Sequence, residues 1–463
     1  METSLEDPTF LHHYITCLST NVGILIASVL FGLIVFVWTH RQRLEGEDAL
    51  NIPGCVRFGL YDRSNLRTKD DSLVNTLPED QKPRIQALFT YPIKSCRGVE
   101  LSGSEVTGLG LKHDRIFSFA QELKVDPEKS GSATRQWRFI TQRERPQMAL
   151  ITTELWVPGP RLQASSEDED STGGLAANQQ DNDWATHGGC LVVRFPSIKS
   201  IFGIKFTETI TIKLPLSPTA QRAESAGYFL EPLIIWKDCP LALNMTSEIA
   251  LTKLVKLKQF LGISNPIALF RIEETNNLRT ITRSLPADKT SKPYPVGFGD
   301  AFPVSLLNLA SVHSVDTDLP GTSKLKHSLD ARRFRANIYI TGPPAFEEDT
   351  WRRINIYRSS REDVLERNIG RASKGDVLES GTYHIACRTA RCTLPNVDPV
   401  SGVRDKSEPF ETLKRTRVVD EGAKPHSSLG MSVLPLFEKG VLKVGDRVEV
   451  LEKGEHVYEK MFN

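Results

Sequence analysis

Residues 84–101 read RIQALFTYPIKSCRGVEL. Apolar and polar residues alternate at the start, β-formers dominate, and Ser95–Gly98 has the small residues that let a chain reverse. The stretch predicts strand, turn, strand. The same style returns in RIFSFAQEL (115–123), WRFITQRERPQMALITTELWV (137–157), CLVVRFP (190–196), ITIKLPL (210–216), FRANIYITG (334–342) and VLKVGDRVEVLE (441–452). Twenty-seven prolines and 31 glycines punctuate these short runs, as β structure with many turns requires. Two segments break the pattern with helical spacing. TSEIALTKLVKLKQFLGI (246–263) has Thr246 or Ser247 as its expected N-cap, and PVSLLNLASVHSV (303–315) is the second candidate. The fold class expected is mostly β with α insertions.

The chain has 463 residues, which on a prior of ~150 residues per domain suggests two or three domains. A hydrophobic content of 39% supports a sizeable core. A net charge of +1 gives no global field that would call for nucleic acid. The seven cysteines are odd in number and widely spaced, with no CxxC pair, so neither a structural zinc nor a disulfide framework is expected, and a reducing compartment is. No GxGxxG, GxxxxGK[ST], HExxH or GxSxG occurs, which argues against nucleotide-loop enzymes, zincins and α/β-hydrolases.

Residues 22–38, VGILIASVLFGLIVFVW, carry no charge and are long enough for a bilayer span. Acids precede the run and THRQR follows it, which reads as an uncleaved anchor with the C-terminal bulk on the cytosolic side. The expected order is an anchor segment at 1–43, a tether at 44–83, a first β domain at 84–240 and a second at 241–460. Residues 161–189 are acidic, Ser/Gly/Asn-rich and nearly without aliphatics, and are expected as a disordered insert in the first domain.

Chemistry-bearing residues are few. Lys94, Ser95 and Arg97 converge on a turn whose free amides suit a phosphate, although a solvated basic loop would look the same. Asp114–Arg115 reads as a buried brace, Arg335 and Asn337 as alternate residues on one face of a strand, and Asp300 as a turn or capping acid. CRTARCTLPNVDPVSG (387–402) sets two cysteines five apart before a turn at Asp398–Gly402. Cys392 is either a buried strand cysteine or a thiolate ligand for a metal, with Arg391 favouring the thiolate.

These motifs coincide with a known family. YPIKSCRGVEL, FRANIYITG, ARCTLPNVDPVSG followed by KSEPFETLKRTR (406–417), and KVGDRVEVL (443–451) resemble, in order, segments of the MOSC-domain proteins and within them the mitochondrial amidoxime-reducing components. The resemblance spans about residues 84–455. It implies a MOSC N-terminal β-barrel domain and a MOSC β-barrel domain holding a molybdenum cofactor, molybdopterin with Mo, between them. Cys392 matches the molybdenum ligand and Asp300 an acid near the metal. Lys94, Ser95 and Arg115 match the residues that hold the pterin phosphate; Arg335, Asn337, Thr141 and Arg143 match further cofactor contacts, with Arg391 beside the ligand. The implied activity is reduction of small N-hydroxylated substrates at the outer mitochondrial membrane or endoplasmic reticulum, with electrons from cytochrome b5 and its flavin reductase. Two alternatives are a sulfur-carrier role, which in the related sulfurases uses a pyridoxal phosphate domain too large for this tether, and cofactor binding without turnover. The spacing in ACRTARC is longer than the family's, so the role of Cys387 is open.

Overall fold

The structure is a computed structural model of the chain. It describes residues 51–61, 63–67, 82–123, 135–159, 184–201, 204–273, 278–286, 293–358 and 380–459, and in the N-terminal segment 22–23, 28–33 and 36. The expected span at 22–38 lies in good part outside the described residues, as does the insert up to residue 183. Among the described residues no helix is long and apolar enough to cross a membrane.

Residues Gly54–Asn463 form one compact unit. Strands β6 (Phe117–Glu122), β7 (Trp137–Phe139), β11 (Phe229–Ile234), β12 (Leu241–Asn244) and β13 (Ile267–Ile272) close into a barrel in the order β11-β12-β13-β6-β7. A second, larger sheet runs β17-β16-β20-β19-β18-β22-β2-β3. Its members are β2 (Arg84–Thr90), β3 (Val99–Leu101), β16 (Val304–Asn308), β17 (Ile338–Thr341), β18 (Trp351–Tyr357), β19 (Ser380–Ala390), β20 (Ser428–Pro435) and β22 (Arg447–Lys453). The β17–β2 pairing closes it into a ring, with β3 attached outside. A four-stranded sheet is formed by β1 (Cys55–Phe58), β8 (Thr152–Pro158), β9 (Cys190–Ile201) and β10 (Ile204–Pro215). Two small sheets, β4 (Gly103–Thr107) and β5 (Gly110–Leu111) with β21 (Lys439–Lys443), and β14 (Arg279–Ile281) with β15 (Tyr294–Val296), complete it. One apolar cluster runs through both barrels, with Ile85, Leu88, Phe119, Phe270, Ile338 and Ile385 all buried in it. Strands at the centre of the large sheet lose their alternation because both faces are covered: all eight residues of β20 are buried.

Several expectations need correction. The strand pairing crosses the boundary expected at residue 240, because β12 and β13 belong to the first barrel while β2 completes the second sheet. Part of the expected tether is structured: Cys55–Phe58 pairs antiparallel with Thr152–Pro158, Phe58 being half-buried at Leu155. Residues 184–187 of the expected insert form a single 3-10 turn that buries His187.

The helices also differ. VSLLN is β16, and only α3 (Leu309–Asp318) is helical; Asn308 caps it by accepting from Ala310 N at 3.1 Å, and the short apolar run before the cap fits strand as well as helix. Two shorter helices are α1 (Ala220–Ser225) and α4 (Phe410–Thr416). Helix α2 (Leu251–Leu261) begins after Ala250, without a side-chain cap. Thr246 is spent elsewhere: its hydroxyl donates to Asn244 Oδ1 at 2.5 Å and accepts from Leu269 N at 3.0 Å, which ties a 3-10 turn to β13.

Candidate cofactor cleft

Loops leaving the ends of these strands line a cleft of about 300 Å³. Every site residue implied by the resemblance lines it: Lys94, Ser95, Arg115, Thr141, Arg143, Asp300, Arg335, Asn337, Arg391 and Cys392. Arg97 does not. Its side chain turns away and donates through Nη2 to the carbonyls of Pro399 and Val400 at 3.0 and 3.2 Å.

The first wall follows from Pro92, which cannot donate to the ladder and ends β2. Ile93 then bridges to Phe117, Lys94 N donates to Phe117 O at 2.8 Å, and Ser95 takes a left-handed φ of 68° that turns the chain. Gly98 completes the turn, since a Cβ there would lie 2.6 Å from the Tyr91 ring. The turn buries Lys94, whose Nζ donates to Phe298 O at 2.7 Å and to Asp300 Oδ1 at 2.5 Å. Burial pulls the Lys94 ammonium down to about 8, with Asp300 partly offsetting it. Asp300 sits at the cleft mouth, its side chain 68% exposed yet walled by protein. Those walls alone would raise its carboxyl, but Lys94, then Arg143 and Arg115, outweigh them and hold it well below the usual carboxylate range. Buried Arg279 clamps the loop beneath, donating to Gly299 O at 2.6 Å and Asp300 O at 3.2 Å.

The second wall carries Arg115 and Arg335. Asp114 accepts from Tyr91 N at 2.8 Å and ion-pairs with Arg115, so the expected brace is present. Asn337 is fully buried. Its Oδ1 accepts from Ser305 N at 3.1 Å and Arg115 Nη1 at 3.2 Å, and its Nδ2 donates to Phe89 O at 3.1 Å, so it acts on the cleft by positioning Arg115. Arg335 is not a strand residue. It ends the 3-10 turn Ala331–Phe334 with a left-handed φ of 53°, and its guanidinium lies 4.3 Å from the Tyr91 ring centre, with Nη1 donating to Cys96 O at 2.6 Å.

The third wall is the end of β19. Arg391 Nε donates to Leu429 O at 2.8 Å and Nη1 to Phe334 O at 3.0 Å, and burial brings this guanidinium down to about 10. Gly430 permits the approach: its φ is 75°, and a Cβ there would meet Leu306 O at 2.7 Å. Cys392 follows, half-buried. The turn beyond it is as expected, with Asp398 Oδ1 accepting from Val400 N at 3.0 Å and Ser401 N at 2.8 Å while Oδ2 accepts from Arg333 at 2.6 Å. Cys387, inside β19, also lines the cleft but is buried, and burial pushes its thiol up to about 12.

The sequence reading missed Trp236 and Arg388. Trp236 projects from the Ile235–Asp238 bridge, its Nε1 donating to Asp300 Oδ1 at 3.3 Å and its ring lying 4.2 Å from the Arg143 guanidinium. A tryptophan in the polar run WKD was the available signal. Arg388 lines the cleft and pairs with Asp420 at 3.2 Å.

Six cations and one carboxylate, Asp300, therefore line the cleft. The Nη2 atoms of Arg335 and Arg391 are buried with no hydrogen-bond partner, a costly state that an anion would relieve. Of the eight described non-glycine residues with left-handed backbone, Ser95, Arg115, Trp236 and Arg335 line this one cleft, and strain of that kind collects at functional sites. Among the described residues no cluster of three or more His, Cys, Asp or Glu could hold a metal. A metal here would take one thiolate from Cys392 and its remaining ligands from a bound group. The donor set thus fits a phosphate-bearing metal cofactor.

Comparison with known proteins agrees. Residues 82–189 match the MOSC N-terminal beta barrel domain and residues 293–449 the MOSC domain. The chain is 26% identical to mitochondrial amidoxime reducing component 2 of Bos taurus and 27% to that of Rattus norvegicus, in each case over 79% of this chain and 82% of the relative. It is 25% identical to mitochondrial amidoxime-reducing component 1 of Homo sapiens, with the same coverage. The chain carries both modules in order and belongs to the MOSC-domain proteins.

Proposed function

We propose that this protein is a molybdenum-cofactor oxidoreductase that reduces N-hydroxylated compounds such as amidoximes and hydroxylamines. The observation that carries the reading is a half-buried thiol, Cys392, in a cleft whose cations retain unpartnered donors. The names of the relatives, amidoxime reducing components, support the substrate class. Lys94, Ser95, Arg115, Arg335 and Arg391 would hold the anionic part of the cofactor, and Cys392 would supply the protein's ligand to molybdenum. When bound, the cofactor supplies the two-electron chemistry that replaces N–OH by N–H with release of water. Asp300 stays ionised and orients the substrate's N–OH or amidine group at the mouth, while Lys94 Nζ, with a pKa of about 8, holds a proton beside it. Thr141 and Arg143 complete the mouth, with Arg143 against Trp236. Electrons come from a separate donor, which the family resemblance suggests is cytochrome b5 with its flavin reductase. The uncharged run at 22–38 would anchor the protein, with its catalytic part in the cytosol at the outer mitochondrial membrane, and would confine enzyme and donor to one surface.

The test is direct. The chain truncated to residues 46–463 should contain molybdenum and pterin, and should reduce an amidoxime with dithionite-reduced viologen at the full-length rate. Purified protein free of molybdenum after expression in a cofactor-producing host would refute the assignment.

A further inference from the structure

A second cavity, of about 390 Å³, opens beside the cofactor cleft, and Arg335 is the one residue that lines both. Arg57, Leu60, Tyr61, Arg63 and Ser64 line one side of it, and Phe89, Tyr91 and Val99 give it an apolar wall. Six arginines line it. Arg63, Arg97 and Arg335 have no carboxylate partner among the described residues. Its two carboxylates are engaged: Glu154 bridges Arg57 and Arg194, and Glu100 accepts from Asn65 N at 2.7 Å. Arg97 spends only Nη2, on two backbone carbonyls, and keeps its other nitrogens for a ligand. Burial lowers the guanidinium of Arg97, with Arg332 adding to the effect and Asp398 opposing it, and burial lowers that of Arg335 as well. Gln142, 3% exposed, also lines this cavity, and its Oε1 is buried without a hydrogen-bond partner; a side-chain rotation that turned the amide over would present an N–H to a ligand.

We propose that this cavity binds a small organic anion, with a carboxylate or phosphate head on Arg97 and Gln142 and an apolar body against Phe89, Tyr91 and Val99. Arg335 lends positive charge from behind, and Arg63 lends it from the rim. The volume suits a ligand about the size of one aromatic ring with its head group. Excess cations set the charge of the ligand and the aromatic wall sets its body. Arg97 and Gln142, which take the head group, line this cavity and not the neighbouring cleft; only the contribution of Arg335 is shared with it.

Calorimetric titration of the full chain tests it, with benzoate, phenyl phosphate, inorganic phosphate and neutral benzamide as probes. One aromatic anion should bind at one site per chain, and the tighter of the two identifies the head group. Benzamide and inorganic phosphate should each bind about ten-fold more weakly or worse, because each lacks one half of the recognition. Arg97→Gln should weaken the anion by about ten-fold. Arg63 is exposed, so Arg63→Glu should fold normally and still weaken binding roughly three-fold through its reversed charge. Lys94→Ala should leave the anion's affinity unchanged. The proposal fails if no probe saturates, if benzamide matches benzoate, or if Lys94→Ala abolishes binding while both arginine variants bind normally, since the anion would then sit in the cofactor cleft.

Discussion

Cys387 and Cys392 are five residues apart and chemically opposite. Cys387 lies within β19, buried, with its thiol pushed up to about 12 by burial. Cys392 lies two residues past the strand's last residue, Ala390, half-buried in a cationic cleft. What separates them is the strand end. Inside the ladder Cys387 also reaches the lining of this cleft, but burial keeps its thiol protonated; past the ladder, the backbone is held by Arg391 N on Ser427 O at 2.7 Å and Cys392 is only half-buried. Position relative to an element's end, rather than residue type, decides whether a cysteine can do chemistry.

The largest expected effect tests this contrast directly. Cys392→Ser should reduce amidoxime turnover to background with an unchanged unfolding midpoint, since a hydroxyl is a poor ligand for a soft site. Cys387→Ala should do the reverse, keeping turnover per bound molybdenum while costing about 1–2 kcal/mol in denaturant unfolding. If the two outcomes were exchanged, the contrast would collapse. Alkylation offers a cheaper version: at pH 8 a thiol with a pKa near 12 has a thiolate fraction of roughly 10⁻⁴, so iodoacetamide should label Cys392 in cofactor-free protein long before Cys387. Mass spectrometry of the two peptides reads the order, and bound cofactor should protect Cys392.

Next come the cations around the pair. Lys94→Ala and Arg115→Ala should each lower pterin occupancy, by a factor of about ten to a hundred in affinity if one charge-assisted bond is lost. Pterin content at wild-type level in both variants would remove their role.

A last test, which bears on stability and leaves turnover aside, extends the comparison from sulfur to oxygen. Glu348 is fully buried, held by Ser311 Oγ at 2.6 Å and Asn308 Nδ2 at 3.0 Å, and burial raises its carboxyl from 4.5 to about 7. A raised folded-state value means that its stabilising contribution is complete below about pH 4.5 and is lost as pH rises through about 7, a change on the order of 3 kcal/mol. Glu348→Gln should flatten that slope between pH 5 and 8 in denaturant titrations. An unaltered slope would mean that Glu348 is ionised throughout.

Much of this was legible in the sequence, for local reasons. Alternation and turn chemistry located most strands, and the anion-seeking side chains fell on turns because strand ends are where side chains leave the ladder. Strand partnership was not legible: nothing local in RIQALFT says that it hydrogen-bonds to Ile338–Thr341, or that Ile267–Ile272 closes a barrel with Phe117–Glu122. The left-handed turn at Arg335 was also hidden, because FRANIYITG has the composition of a continuous strand and tertiary contacts to Cys96 and Tyr91 override it. The anion cavity could not be read at all. Arg63, Arg97, Gln142 and Arg335 meet only after the sheets have packed.

The crossing of β2 into the second sheet affects how the protein is made. Arg84 pairs with Arg447, about 360 residues later, and Leu88 with Ile338. At a synthesis rate of roughly 5–20 residues per second, β2 waits on the order of 20–70 s before β22 is translated. Until β17 arrives, about 250 residues after Leu88, it exposes an apolar strand edge that is open to mispairing. Dividing the chain near residue 240 should therefore give two fragments that each lack strands held by the other.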